Sequence, residues 1–352
     1  MLDKFLGMFS QDIGIDLGTA NCVVGTRMEG IVLCEPSVVA VNKDTQEVLM
    51  NGAAVGNSAK KMLDKVPGNV EAIRPLKNGV IASFEITEAM IAYFIRKVSN
   101  RSWGIKPRLI VSVPMGITSV EKRAVVESCE RAGAREVYLI EQPMAAALGA
   151  GLPISDPAGS MIVDIGGGTS DVAVISLSGV VEYCTLRTAG DDLNNAIVDH
   201  MKKNYNLLVG EQTAERIKIS IGSVAPLAEI GEQEMTMDVK GRSTRTHLPG
   251  KAVISSVEVR EALRPVADKI VEAIKDVLKR TPPELAADLV DRGITLAGGG
   301  AYLRGLAWLI EKEVGLSCKA CDEPLYAVAR GTAAVMESFE QLKDVLQSSN
   351  DI

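Results

Sequence analysis

Hydrophobic and polar positions alternate along the chain in two periods. Leu109-Ile110-Val111-Ser112-Val113-Pro114 is a short, almost continuous apolar run and predicts a buried strand, as does Glu136 to Ile140. Between them, Ser119 to Ala132 repeats its apolar residues at helical spacing and predicts an amphipathic helix. The alanine-rich stretch Gln142 to Gly151 predicts a helix that leads into the second half of the chain. Further on, Asp191 to Tyr205, Thr213 to Ile221, Ser256 to Lys279 and Pro283 to Asp291 read as helices, and Met235 to Leu248 as a polar β-hairpin. Ile294-Thr295-Leu296-Ala297 reads as a strand running into Gly298-Gly299-Gly300. Such alternation implies an α/β fold, with a largely parallel sheet covered on both faces.

One pattern occurs twice. Ile13-Gly14-Ile15-Asp16-Leu17-Gly18-Thr19-Ala20-Asn21 is followed by Val23-Val24, and Met161-Ile162-Val163-Asp164-Ile165-Gly166-Gly167-Gly168-Thr169 by Val172-Ala173-Val174. Each copy is an apolar strand ending in aspartate, then a glycine/threonine turn, then a second β-rich strand, which reads as a hairpin. The copies lie about one domain length apart, so two similar domains, each opening on such a hairpin, are expected.

Composition narrows the function. A net charge of −7 disfavours nucleic acid, whose binding rests on basic patches, and simple attraction to anionic lipid. Any membrane contact is therefore expected to be apolar. The longest apolar run, Met144 to Ile154, is interrupted by two glycines and a proline and falls short of the ~20 residues that span a bilayer. The first residues carry one lysine and no long apolar core, so no secretory signal is read and a cytoplasmic location is expected. Cys22, Cys34, Cys129, Cys184, Cys318 and Cys321 form no disulfide framework and read as buried strand thiols. The Cys318/Cys321 spacing lacks the further ligands of a zinc site, the chain having only His200 and His247.

Glycine turns after strands expose backbone N–H groups that can cradle phosphate. Three are present, at Gly18-Thr19-Ala20, Gly166-Gly167-Gly168-Thr169 and Gly298-Gly299-Gly300, and the first two follow Asp16 and Asp164. Two carboxylates beside a phosphate chain suit Mg²⁺, which takes one or two protein carboxylates and keeps waters. The sequence contains no GxxxxGK[ST] loop, no GxGxxG fingerprint and no GxSxG elbow. Phosphoryl transfer needs positioning and charge stabilisation more than a covalent nucleophile, so loops, Mg²⁺ and one polar residue suffice.

These three segments resemble the nucleotide signature of the actin, heat-shock chaperone and sugar kinase superfamily. Within it, Glu35-Pro36-Ser37-Val38-Val39-Ala40, Glu71-Ala72-Ile73-Arg74-Pro75, Thr213-Ala214-Glu215-Arg216-Ile217-Lys218 and Pro282-Pro283-Glu284-Leu285-Ala286 resemble the MreB family of bacterial actins, from about residue 10 to 337. The resemblance implies an actin-like ATPase fold of two ribonuclease-H-like domains with a nucleotide cleft between them. It places the first domain at 1–145, with a small insert at about 33–74 and completion by about 315–352. The second domain falls at 146–314, with an insert at about 182–250.

The resemblance also implies ATP or ADP with Mg²⁺ and assigns roles to residues. Gly18, Thr19, Ala20 and Asn21 are expected to hold the terminal phosphates, with Gly166, Gly167, Gly168 and Thr169 opposite. Asp16 and Asp164 are expected to hold Mg²⁺. Gly190 and Asp191 are expected near the ribose, Glu215, Arg216, Ile217 and Lys218 to frame ribose and adenine, and Gly298, Gly299, Gly300 and Ala301 to pack by the adenosine and α-phosphate. Gln142, Glu141 and Thr169 take the catalytic places. In the family a glutamate usually precedes the proline of the connecting helix; here it is Gln142, with Glu141 one residue earlier. Asp171 and Ala189 replace a usual glutamate and glycine. Nucleotide binding is expected to survive these changes and hydrolysis to be slow.

Leu2, Phe5, Leu6 and Phe9 share one face at i, i+3, i+4, i+7 spacing, so an interface could induce an amphipathic helix there. By resemblance, Trp103 and Ile105 form a second insertion point. The family implies homopolymers of antiparallel paired protofilaments on the inner face of the cytoplasmic membrane, working with membrane proteins of the cell-elongation machinery to guide lateral wall synthesis. Two alternatives are less favoured. A chaperone ATPase would need a substrate domain after the nucleotide domain, and a sugar or acetate kinase would need an acid for the acceptor hydroxyl.

Overall fold

Runs of valine, isoleucine and leucine too dense for a one-sided sheet build the two central sheets, whose inner strands are buried on both faces. The computed structural model describes residues 12–63, 65, 67–98 and 106–348. Its larger sheet has six strands in the order Leu346–Ser348, Glu136–Glu141, Arg108–Val113, Ile13–Leu17, Asn21–Thr26, Gly30–Pro36. Glu136–Glu141, Arg108–Val113 and Ile13–Leu17 are parallel; Asn21–Thr26 and Gly30–Pro36 follow antiparallel. The second sheet runs Gly179–Leu186, Ser170–Ser176, Ser160–Ile165, Ile294–Ala297, Cys318–Ala320, with the last three parallel. Both hairpins expected from the repeated pattern are thus present.

Two units result. The first takes in the described residues up to Pro157, Ile175–Val180 and the described residues from Leu325 onward; the second comprises Ala158–Val174 and Val181–Pro324. The first has its own core around Ile13, Ile15, Leu109, Val111 and Phe94. The second packs Met161, Val163, Ile197, Ile217, Ile270 and Leu296.

In the first unit, the helix Gln142–Gly149 follows its strand without a loop and crosses Ala327–Glu337 at backbone contact. A Cβ on Gly149 would lie 1.8 Å from the Ala327 carbonyl oxygen, and one on Gly331 1.8 Å from that of Ala145. The small residues of the alanine-rich stretch therefore set how closely these two helices pack. A small lobe pairs Val39–Asn42 with Val70–Ile73 over buried Val38, Ala40, Ala54 and Ala59. The buried Glu35 fastens it by accepting the Asn57 N–H at 3.1 Å while pairing with Lys97.

In the second unit, Leu207–Leu208, Thr236–Ser243 and Pro249–Ser255 form a three-stranded sheet. The polar hairpin thus extends to Ser255: the stretch expected to hold both strands, Met235 to Leu248, holds the first strand and its turn. The second strand opens on Pro249, Gly250 and Lys251, and its apolar residues Ala252, Val253 and buried Ile254 come only at its end. The thiols also differ from expectation, since Cys129 lies on the helix Ser119–Arg131 and Cys321 just beyond a strand.

Candidate functional site

The carboxyl ends of parallel strands are where open α/β sheets present their loops to ligands, and both aspartates stand there. In the first unit Asp16 lies directly opposite Ser112 in the parallel pairing of Ile13–Leu17 with Arg108–Val113. The Ser112 hydroxyl donates to Asp16 Oδ1 over 2.7 Å, and the Gln142 side-chain amide also bonds this carboxylate. Burial pushes the Asp16 carboxyl up from an ordinary 3.8 to about 6, against the opposing pull of those two hydrogen bonds. Gln142 is itself buried, at the first position of its helix and next to Pro143. Glu141, half-buried at the strand end, is likewise raised by desolvation, with Lys122 opposing.

The turn after Asp16 is held at three points. Gly18 and Ala20 offer their carbonyl oxygens to Ser37, from its hydroxyl at 2.6 Å and its backbone N–H at 3.0 Å. The buried Thr19 hydroxyl accepts the Gly79 N–H at 2.9 Å.

In the second unit Asp164 stands opposite Ala297, the residue before Gly298. Gly298 has φ +77° and sits so close that a Cβ would lie 2.4 Å from the Ile165 carbonyl oxygen and 2.5 Å from Asp164 Oδ1. Only glycine fits that approach. The Gly166–Thr169 turn closes through the Gly166 N–H to the Thr169 carbonyl at 2.9 Å. It is fastened to the helix Gly190–Tyr205, whose Gly190 and Asp191 N–H groups donate to the carbonyls of Gly166 (3.1 Å) and Gly167 (2.8 Å). Lys218 Nζ donates to the Gly190 carbonyl over 2.9 Å, tying in the helix Glu211–Ile221. Gly166–Thr169, Gly190, Asp191, Lys218 and Gly298–Ala301 thus form one interconnected surface built mostly of backbone.

The MreB/Mbl protein family model matches residues 10–344. Over 341 residues, 97% of each chain, the sequence is 49% identical to the cell shape-determining protein MreB of Escherichia coli strain K12. It is 46% identical to the cell shape-determining protein Mbl of Bacillus subtilis strain 168 over 335 residues, 95% of this chain and 98% of that one. The chain belongs to the MreB/Mbl family. Its structure is similar to that of MreB5 of Spiroplasma citri bound to AMPPNP, with a TM-score of 0.88, 32% identity and coverage of 95% of this chain and 98% of that one. A structure of the same MreB5 bound to ADP matches equally. A MamK double helical filament, at 21% identity, has the same fold, with a TM-score of 0.78 over 93% of this chain and 99% of that one. The fold is therefore actin-like, as the motifs implied.

Within this MreB/Mbl-family chain some expected site residues differ in character. Ile217 is wholly buried in the core of the second unit, Arg216 is exposed, and Glu215 is half-buried beside them. Asp171 is buried, with its carboxylate accepting the Thr185 hydroxyl at 2.5 Å. The Ala189 N–H donates to Asp192 Oδ2 over 2.9 Å, so Ala189 opens the helix Gly190–Tyr205. Ser112, Ser37 and Gly79 were not anticipated from the motifs. Ser112 did carry a signal, being the one hydroxyl in an otherwise apolar stretch from Leu109 to Val113. Leu2, Phe5, Leu6, Phe9, Trp103 and Ile105 lie outside the described residues. Among the described residues no helix is long and apolar enough to cross a membrane.

Proposed function

We propose that this chain binds Mg·ATP on its glycine turns, hydrolyses it slowly, and assembles into membrane-associated filaments that set cell shape by organising lateral wall synthesis. The observation carrying the reading is the desolvated Asp16 carboxylate, bonded by Ser112 and Gln142 beside the Gly18–Ala20 turn. A buried carboxylate disfavours its own charge, and a divalent cation is the partner that would restore it. The hard oxygens of Asp16 and Asp164 fit Mg²⁺, which when bound would neutralise charge on the phosphates.

The residues then divide the work. Gly18–Asn21 and Gly166–Thr169 hold the phosphates through backbone groups and the threonine hydroxyls. Gly190, Asp191 and Lys218, with Gly298–Ala301, take ribose, adenine and the α-phosphate, while Glu215 borders that region. Gln142 orients a water by its amide and cannot take up the water's proton as a carboxylate would, so turnover is slow. The nucleotides bound to the MreB5 structures support this reading, and the relatives named as cell shape-determining proteins support the role in cell shape.

Attachment to the inner face of the cytoplasmic membrane falls to Leu2, Phe5, Leu6 and Phe9, with Trp103 and Ile105. Each burial is worth at most about 1.5–3 kcal/mol, so one chain binds weakly and a filament gains avidity. Paired antiparallel protofilaments and contacts with elongation-machinery membrane proteins complete the proposal. The test is co-sedimentation. The chain is expected to pellet with Mg·ATP, and Asp16→Ala and Asp164→Ala are not, while removing residues 1–9 is expected to abolish liposome binding and spare pelleting. Pelleting by both aspartate variants equal to the parent's would overturn the site assignment.

A further inference from the structure

Ser112 is a hydroxyl where the fold otherwise admits only hydrocarbon. Its neighbours Leu109, Ile110, Val111 and Val113 are buried, the serine is 1% exposed, and the strand lies between two others in the sheet. A buried hydroxyl without a partner is destabilising, and Ser112 avoids that by donating to Asp16 Oδ1 at 2.7 Å. The two residues are 96 positions apart, yet strand register sets them face to face. On the other side, Gln142 donates its side-chain N–H to the same carboxylate.

We infer that Ser112 is a positioning residue for the nucleotide's cation: it fixes the Asp16 carboxylate that would hold it. The inference rests on the nucleotide reading above and adds a residue to it. A carboxylate free to rotate presents its oxygens to a cation in many orientations, whereas one held by the Ser112 hydroxyl presents far fewer. Residues that orient metal-holding groups typically change metal affinity about 10–100-fold when lost. Ser112 touches neither nucleotide nor cation in this scheme and acts only by aiming Asp16.

The test compares the full-length parent with Ser112→Ala and with Ser128→Ala. Ser128 is equally buried in the same unit, but its hydroxyl bonds only the Ala124 carbonyl within its own helix, so its removal is a control for losing a core hydroxyl. ATP affinity is measured by fluorescent-nucleotide displacement across a Mg²⁺ titration and again in EDTA. The expected result is a Mg²⁺ midpoint raised about tenfold in Ser112→Ala, at the low end of the range above. Affinity in EDTA stays as in the parent, and Ser128→Ala shifts neither value. On an Asp16→Asn background, Ser112→Ala adds nothing further. A Ser112→Ala midpoint equal to the parent's, or an equal loss with and without Mg²⁺, overturns the inference. If the parent itself shows no Mg²⁺-dependent ATP binding, the nucleotide reading fails and the inference with it.

Discussion

The Gly79 N–H donates to the Thr19 hydroxyl oxygen over 2.9 Å, joining the glycine turn to a segment 60 positions further on. Gly79 joins the two short strands Leu76–Lys77 and Val80–Ile81, just past the small lobe. A net hydrogen bond of this kind is worth about 0.5–1.5 kcal/mol, and each 1.4 kcal/mol is about tenfold in an opening equilibrium. Thr19→Val is therefore expected to speed hydrogen exchange at Gly79 by about two- to tenfold while leaving amides of the second unit unchanged. Exchange mass spectrometry of peptides spanning 74–84 checks this.

Gly298 is expected to be intolerant of any side chain. Gly298→Ala meets both the Ile165 carbonyl and Asp164 and adopts a positive φ, so the turn must move away from Asp164. Gly315→Ala has a similar φ of +79° but open space, and it isolates the backbone strain of about 1–3 kcal/mol. Thermal melts and ATP titrations should show both variants destabilised, Gly298→Ala the more so, and only Gly298→Ala impaired in nucleotide binding.

How much of this was legible in the sequence depends on distance along the chain. The two hairpins and the turns after Asp16, Asp164 and Ala297 follow from local patterns, because glycine and strand propensity act between neighbours. The helix Phe84–Val98 also carries a readable face, Ile86, Met90, Ile91, Phe94 and Ile95, although no motif drew attention to it. Ser112 against Asp16 was not legible, since periodicity gives strands but not their order or register. Nor was the division within Glu215–Lys218, where one helical turn sends Ile217 into the core and Lys218 to the Gly190 carbonyl.

Acid should weaken the second unit through two carboxylates. Glu258 is held below its ordinary 4.5 by hydrogen bonds from Ser255 and then Tyr205, and Glu234 by Ser256 and Arg260. A lowered folded-state pKa means stability is present above 4.5 and is lost as pH falls through the folded values. Glu258 also completes the capping box that starts the helix Ser256–Arg280, a device worth about 0.5–2 kcal/mol. Glu258→Gln should lower the melting temperature at pH 7, and the gap from the parent should narrow as pH falls below the ordinary carboxylate value of 4.5. A gap that stays constant with pH would show that the charge plays no part.

Gln142→Glu probes the departure from the family pattern. It places a second carboxylate beside Asp16, so without nucleotide the variant is expected to melt below the parent. With Mg²⁺ and ATP, phosphate release from filaments is expected to rise about tenfold, the low end of what a general base supplies in a step dominated by positioning. Glu141→Ala is expected to leave release unchanged. If Gln142→Glu gives no increase while Glu141→Ala loses activity, the role belongs to Glu141.

The central claim is that the glycine turns following Asp16 and Asp164 serve one Mg-bound nucleotide. Titration calorimetry of the full chain with ATP, in Mg²⁺ and in EDTA, addresses it most directly. The account predicts saturable binding of one nucleotide per chain in Mg²⁺, weakened in EDTA, and sharply reduced by either Asp16→Ala or Asp164→Ala with the fold intact by circular dichroism. Absence of saturable binding in Mg²⁺, or binding by both variants as tight as the parent's, would contradict it.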